Sequence, residues 1–581
     1  MNKETFNLID DPWIKAINIK NQTEKVSLEI LLKNSKQYRQ LAGDTVSQDL
    51  AVLRFLIAIL TTVYCRYDYN GFLYPWISEN TSGWQGLEID DSISSKKVKS
   101  HFMETFQNLY KSNHFSDILF QYLEKYHDNF DLFGDHPFYQ VTTKVYDNWV
   151  ADSKKVSKGK GTVAIKQINR LISESNNSPS VFSPKTGSNK NEIKLDELVR
   201  WIISYQNYTG TTDKTKIEIG EKFSASSGWL YGLNPIYIKG KNLFETLMLN
   251  LKLITKTSQN DNHLVMEKPI WEFQDMNDYI EKAGEASVPD NIAELYTVWS
   301  RILHIEWDEN NQPTIFSACL PKISSANALI EPMTTWRKDK KTSDLLPATR
   351  RKETLDKAMW RNFGQYVETE PTDDNADMTP GIVEWANTLK EYKVIPVDYH
   401  LNLVNVGLVS DGNATSQSPY AEFYDYMKIE AGVLFDESKN KRKWPKVIED
   451  IVEETQKVAA NYRFFVEGIG KLRNINNPKE FANRIVGKFY ERLNEPFLDW
   501  LDSLTVSDDR QLKQREWKKT LKRKLMQEVD FVMAEASSAE ILGKNIDPKK
   551  KDDRSNIFTL YNVLMRNIHK YFNFDKGGKN E

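Results

Sequence analysis

Residues 131–141 read DLFGDHPFYQV, and residues 6–14 read FNLIDDPWI. Each stretch sets turn formers against large apolar side chains: Asp10, Asp11 and Pro12 in one, Gly134, Asp135, His136 and Pro137 in the other. That composition turns the backbone sharply and pins the turn by aromatic burial. Both read as corners of a core, and the segments around them are what the corners join.

Between the two corners, Asp44 or Thr45 can cap a helix running through Tyr64, with Leu50, Leu53, Ile57, Leu60 and Val63 recurring every three or four residues. The apolar run 51–65 is interrupted by Arg54 and too short for a bilayer, so it reads as a buried helix. Before it, residues 25–32 read as a strand, and a second apolar face spans 102–123. Beyond the second corner, residues 147–194 form a basic, Gly/Ser-rich loop containing Lys154, Lys155, Lys158, Lys160, Lys166 and Arg170. A helix over 194–205 follows, then a polar loop at 207–216, an apolar stretch at 229–253, and strands within 299–316. Residues 336–352 are basic. Residues 394–409 alternate and are β-branched, which predicts a strand pair leading into the turn signature SDGNA at 410–414.

The C-terminal part has a different period. Four segments carry apolar residues at spacings of three and four: Val447 to Ile469, Phe481 to Leu501, Trp517 to Val532 and Ile557 to Tyr571. Gly468 and Gly470 read as the stop of the first. Short connections between such amphipathic helices specify an antiparallel four-helix bundle. The expected fold is therefore α+β: a large mixed body over 1–440 and a bundle over 441–581.

Composition narrows the function. The 581 residues leave room for roughly two to four domains. The formal net charge of −3 argues against a protein that coats nucleic acid over its whole surface, but leaves room for local basic patches. The N-terminal residues lack a basic region followed by an apolar run. The two cysteines, Cys65 and Cys319, form no CxxC pair, which suits a reducing cytoplasm and excludes a cysteine zinc site. Phosphate-cradling GxxxxGK[ST], dinucleotide GxGxxG, nucleophile GxSxG and metal-binding HExxH patterns are all missing. The one HD dipeptide, His127-Asp128, leaves open an alternative, a metal-dependent phosphohydrolase, although the eight histidines are scattered. Otherwise no catalytic residue, cofactor or metal is implied, which favours a binding protein. The run RQLKQREWKKTLKRK at 510–524 carries eight Lys and Arg against one Glu. Arg515, Lys518 and Lys522, with Lys519 adjoining, fall on a face that leaves Trp517 and Leu521 for the core. Such a stripe binds phosphates without reading sequence, or is simply a solvated face.

The opening FNLIDDPWI, the later DLFGDHPFYQV, the VGLVSDGNA turn at 406–414 and the terminal bundle together resemble the CasA family, the large subunit of type I-E CRISPR Cascade surveillance complexes. The resemblance implies a non-catalytic subunit that works with other Cascade proteins and a crRNA, recognises the protospacer-adjacent motif in double-stranded DNA, helps open it, and recruits a helicase-nuclease. It implies that Gly412, Asn413 and Ala414 form the turn that enters the minor groove, whose width of about 6 Å suits so small a wedge. It puts the motif-contacting lysine at Lys322. The family's glycine loop falls at 208–212, where Gly210 is the one glycine left, a departure that bears on the loop's contact with the motif. It puts the aromatic that anchors the crRNA handle at Phe182, where stacking on a base is physically sound. A cysteine zinc site of the kind some members carry has no partners here for Cys319.

Overall fold

The computed structural model describes residues 5–79, 87–90, 93–169, 171, 185, 192–210, 215–254, 264–309, 312–367, 378–410, 419–440, 442–546 and 554–572. The chain divides into two compact units, one of residues 1–355, 374–394 and 403–425, the other of 356–373, 395–402 and 426–581.

In the first unit, β1 (Ile14–Asn18) pairs antiparallel with β2 (Thr23–Val26). The chain then leaves the extended state sooner than the sequence suggests. Ser27 accepts a hydrogen bond from the Ile30 N–H and caps α1 (Leu28–Lys33), so the strand expected over 25–32 ends at Val26. After β3 (Tyr38–Leu41), which pairs with the other edge of β1, α2 (Val46–Tyr64) begins at Thr45, whose side chain accepts from the Gln48 N–H. This helix is the one, among the described residues, long and apolar enough by length and composition to cross a membrane, and it is buried within the unit. Its one charge in the apolar run, Arg54, forms a two-pronged ion pair with the buried Glu331 at 2.9 and 2.8 Å and lies 3.7 Å from the centre of the Tyr296 ring. The apolar face at 102–123 becomes two helices, α3 (Ser95–Ser112) and α4 (Asp117–Lys125).

The two corners meet each other. Leu8 N–H donates to Phe130 O at 2.9 Å and Leu132 N–H to Phe6 O at 3.0 Å, across an isolated Asn7–Asp131 bridge. Phe55 of α2 is the hub beneath them: Trp13, Phe130, Phe138, Tyr139 and Trp271 all present rings to it in edge or tilted contacts between 5.5 and 6.3 Å. Each such pair is worth about 0.5–1.5 kcal/mol beyond its buried area. The corner then joins a hairpin, because Val141 N–H donates to Leu303 O at 2.7 Å.

Along the chain follow α5 (Leu195–Tyr208), β4 (Ile236–Lys239), α6 (Leu243–Asn250) and α7 (Ile292–Thr297); α5 and α7 both pack on α2. β5 (Arg301–Trp307) and β6 (Pro313–Cys319) form the antiparallel hairpin expected within 299–316, from Arg301↔Cys319 to Trp307↔Pro313. The basic stretch holds a second small hairpin, β7 (Trp336–Lys338) with β8 (Leu345–Pro347). The pair of strands expected over 394–409 is a single strand, β9 (His400–Ser410), whose neighbours are β10 (Pro419–Glu430) and β4. Pro396 explains the shortening: it has no N–H for a ladder, and its carbonyl instead closes a turn with the Tyr399 N–H.

The second unit contains the predicted bundle: α8 (Trp444–Leu472), α9 (Pro478–Asp502), α10 (Arg510–Ala534) and α11 (Ile557–Phe572), with short turns at 473–477 and 503–509 reversing the chain. Its centre is aromatic. Phe497 stacks on Trp360 at 4.2 Å and meets Trp517 edge-on at 4.9 Å, and the Trp517 indole N–H donates to Thr455 Oγ1. Gly468 and Gly470 do not stop α8, which runs on to Leu472. They permit close approach instead: a Cβ on Gly468 would lie 2.8 Å from the Leu560 methyls of α11, and one on Gly470 would lie 3.1 Å from the Phe481 ring of α9.

Candidate nucleic-acid interface

The first unit gathers three loops around one buried guanidinium. Arg301 opens β5 and is fully buried. Its Nη1 donates to Ser226 O at 2.7 Å and Ser300 O at 2.8 Å, and its Nη2 donates to Gly210 O at 3.0 Å. Gln206, in the last turn of α5, completes the knot: its Oε1 accepts from the N–H groups of Ser300 and Arg301, and its Nε2 donates to Arg301 O. A cationic fork satisfying several carbonyls is a strong way to fix loops that have no ladder of their own.

The 224–228 loop lies along the end of β6. Lys322 N–H donates to Ser224 O at 2.9 Å, and Ser226 N–H donates to Leu320 O at 2.9 Å. Gly228 closes the arrangement with φ +74°, and a Cβ there would fall 2.5 Å from Asn207 O. Only glycine meets both demands. The result is a shallow cleft of about 70 Å³ bordered by Ser226, Gly228, Trp229, Ser300, Lys322 and Ser325. Lys322 itself is exposed. The loop that starts at Lys322 is clasped to the β7–β8 hairpin by Asn327, whose N–H donates to Leu345 O and whose Oδ1 accepts from Leu345 N–H, both at 2.8 Å. That hairpin exposes Arg337, Lys338, Lys340 and Lys341. Exposed cations of this kind can neutralise phosphates.

Two of the residues singled out in the sequence, Gly210 and Lys322, are thus connected through the 224–228 loop: Arg301 binds Gly210 O and Ser226 O, and the Lys322 N–H binds Ser224 O. Nothing local marks Arg301, Gln206 or Gly228 in the sequence; only the Ser/Gly run SASSG at 224–228 carries a usable turn signal. Gly412, Asn413 and Ala414 lie outside the described residues, between the neighbouring strands β9 and β10. Phe182 also lies outside them.

On the bundle, Arg515, Lys519 and Lys522 of α10 are exposed, and among the described residues no carboxylate lies within ion-pair distance of them. Lys518 is committed elsewhere, to Glu454 of α8 at 2.7 Å. Helical spacing along α10 does not reveal a partner on another helix.

His127 serves the two corners. Its Nε2 meets Asp10 Oδ2 at 2.7 Å, its carbonyl accepts from Asn7 Nδ2 at 2.9 Å, and its Nδ1 lies 3.3 Å from the same amide. Partial burial opposes the charged imidazole, but the hydrogen bond and charge of Asp10 outweigh it and hold the pKa above the ordinary value. Among the described residues no three His, Cys, Asp or Glu side chains gather as metal ligands would. The centre considered at His127-Asp128 has no ligand set among them.

The family model for CRISPR-associated protein Cse1 matches residues 7–527. Among solved structures, Cse1 of Thermobifida fusca superposes with a TM-score of 0.70 at 20% identity, covering 98% of this chain and 97% of that one. Cse1 of Acidimicrobium ferrooxidans gives 0.70 at 17% identity and 99% coverage of both chains. A chain of a structure described as a CRISPR RNA-guided surveillance complex gives 0.57 at 12% identity, covering 98% of this chain and 99% of that one. At such identities the likeness concerns the fold. No curated protein matches the chain.

Proposed function

Because the chain belongs to the Cse1 family of CRISPR-associated proteins, we propose that it is the non-catalytic, DNA-recognising subunit of a cytoplasmic crRNA-guided complex. In this reading the body, residues 1–440, docks beside the other protein subunits and the crRNA and reads the protospacer-adjacent motif in double-stranded DNA. The bundle, residues 441–581, holds strand. The observation that carries the proposal is the Arg301 knot, which fixes Gly210 and the 224–228 loop beside the exposed Lys322 and next to a basic hairpin.

Lys322 supplies the cation at the motif, and the tip carrying Gly412, Asn413 and Ala414 enters the minor groove, where Asn413 donates to the acceptors that all A·T and G·C pairs present. Minor-groove chemistry is degenerate, so the motif preference is relaxed. Strand separation starts there, guide pairing supplies the remaining specificity, and a helicase-nuclease is recruited to the opened DNA. Phe182 stacks on the crRNA handle. Arg515, Lys519 and Lys522 hold the DNA backbone, with Lys518 contributing only if it leaves Glu454.

The test is a competition assay on the assembled complex. Lys322→Ala or Asn413→Asp weakens motif-dependent binding by about 1–3 kcal/mol and leaves motif-free binding unchanged. Variants that compete like the parent would discard the assignment.

A further inference from the structure

A second hollow of about 230 Å³ opens in the first unit, and none of its lining residues belongs to the Arg301 knot. Leu41, Leu50, Leu53 and Leu243 form apolar walls, and Tyr424 of β10 stands at its rim, half exposed. Into this lining comes one acid, Asp49, from the first turns of α2. Asp49 Oδ1 accepts the Gly43 N–H at 2.7 Å. Among the described residues no donor lies within hydrogen-bond distance of its Oδ2, and no cation lies within ion-pair distance of the carboxylate. The lysine that shares the lining, Lys239, donates its ammonium to Gln40.

An apolar hollow containing a single half-used carboxylate is matched by an alkyl stem ending in a compact cation. We propose that it receives a lysine side chain presented from the surface of a partner protein. Arginine fits less well: its fork is satisfied by two carboxylate oxygens, and Gly43 occupies one of them. A free diamine fits less well too, since no second acid lines the hollow for its other ammonium.

The state of Asp49 agrees. Burial pushes its carboxyl up to about 7; the Gly43 N–H opposes this, the charges of Asp44 and Glu422 add to it, and Arg200 offsets it slightly. The Asp49 charge in turn adds to the rise that burial gives the Tyr237 hydroxyl, so the phenol stays protonated beside the acid. A visiting ammonium would supply the ion-pair partner that the Asp49 carboxylate lacks among the described residues.

The experiment titrates the full chain at pH 8 with Nα-acetyl-lysine N-methylamide, followed by saturation-transfer NMR, against the norleucine analogue and 1,4-diaminobutane. The lysine probe should bind at least tenfold more tightly than the norleucine analogue, and more tightly than the diamine. Asp49→Asn, which keeps the acceptor for Gly43 while removing the charge, should abolish that preference. Equal binding of the norleucine analogue, tighter binding of the diamine, or no saturation by the lysine probe would overturn the proposal. The analogue comparison uses the unaltered chain, so it decides the matter even if Asp49→Asn fails to fold.

Discussion

Replacing Arg301 by methionine keeps most of its volume and removes the guanidinium that holds three loops together. Three carbonyls, Gly210 O, Ser226 O and Ser300 O, then lose a donor at 2.7 to 3.0 Å. A hydrogen bond from a charged donor contributes about 1.5–3 kcal/mol net, and bonds sharing one group do not sum fully, so the loss is about 3–5 kcal/mol. A domain is typically stable by about 5–15 kcal/mol, so the unit stays folded and the cost appears as local opening. Hydrogen exchange followed by mass spectrometry reads this directly. Peptides covering 206–210 and 224–228 should exchange roughly a hundredfold to several thousandfold faster than in the parent, since about 1.4 kcal/mol is a factor of ten, while peptides of α2 should not change. Motif-dependent DNA binding should fall with them. If those two peptides exchange within about twofold of the parent rate, on that same scale, Arg301 is not what fixes the loops and the reasoning fails.

Glu331→Gln leaves the buried Arg54 without its anion and weakens the bond to Trp229 Nε1, so urea denaturation should show a loss of about 3–5 kcal/mol. The double replacement Arg54→Met with Glu331→Gln, which removes the buried cation and keeps an amide oxygen as acceptor at that position, should recover much of it, and failure of the single change to destabilise would refute the pair's role. Glu267 is buried, and burial raises its carboxyl to about 7 against the opposing Ala293 N–H. A raised carboxyl favours the folded state while protonated, so this contribution is full below the unfolded value of about 4.5 and is lost as pH rises through about 7. Stability should therefore decline between those limits by about 3 kcal/mol, since each pH unit separating the two values is worth about 1.4 kcal/mol. Glu267→Gln should flatten the decline, and an unchanged slope would contradict it. Neutralising Arg515, Lys519 and Lys522 together should lower DNA affinity equally for all sequences and reduce the salt slope by about 2 to 3, at about 0.9 per phosphate contact. An unchanged slope would remove the bundle from the interface.

What could be read in the sequence follows from how local its cause is. α2 and the bundle helices were legible because a cap and a repeated apolar spacing lie within each segment. The two corners were recognised as corners, but the Asn7–Asp131 bridge that joins them spans a separation no local pattern encodes. Lys322 and Gly210 were picked out by resemblance, whereas Arg301 looked like any residue opening a strand, since its task depends on carbonyls supplied by distant loops. Ser27 is the opposite case: the cap and the acidic Glu29 in the first turn are both local signals of a helix start, and the strand expected over 25–32 runs across them.

Duplexes that share the guide-matched segment and differ only in the adjoining base pairs can be titrated with the complex purified from host cells with and without this chain. The complex with the chain should separate those duplexes in affinity, Lys322→Ala should narrow the separation, and the complex without the chain should bind them alike. Equal discrimination in the absence of the chain would contradict the account.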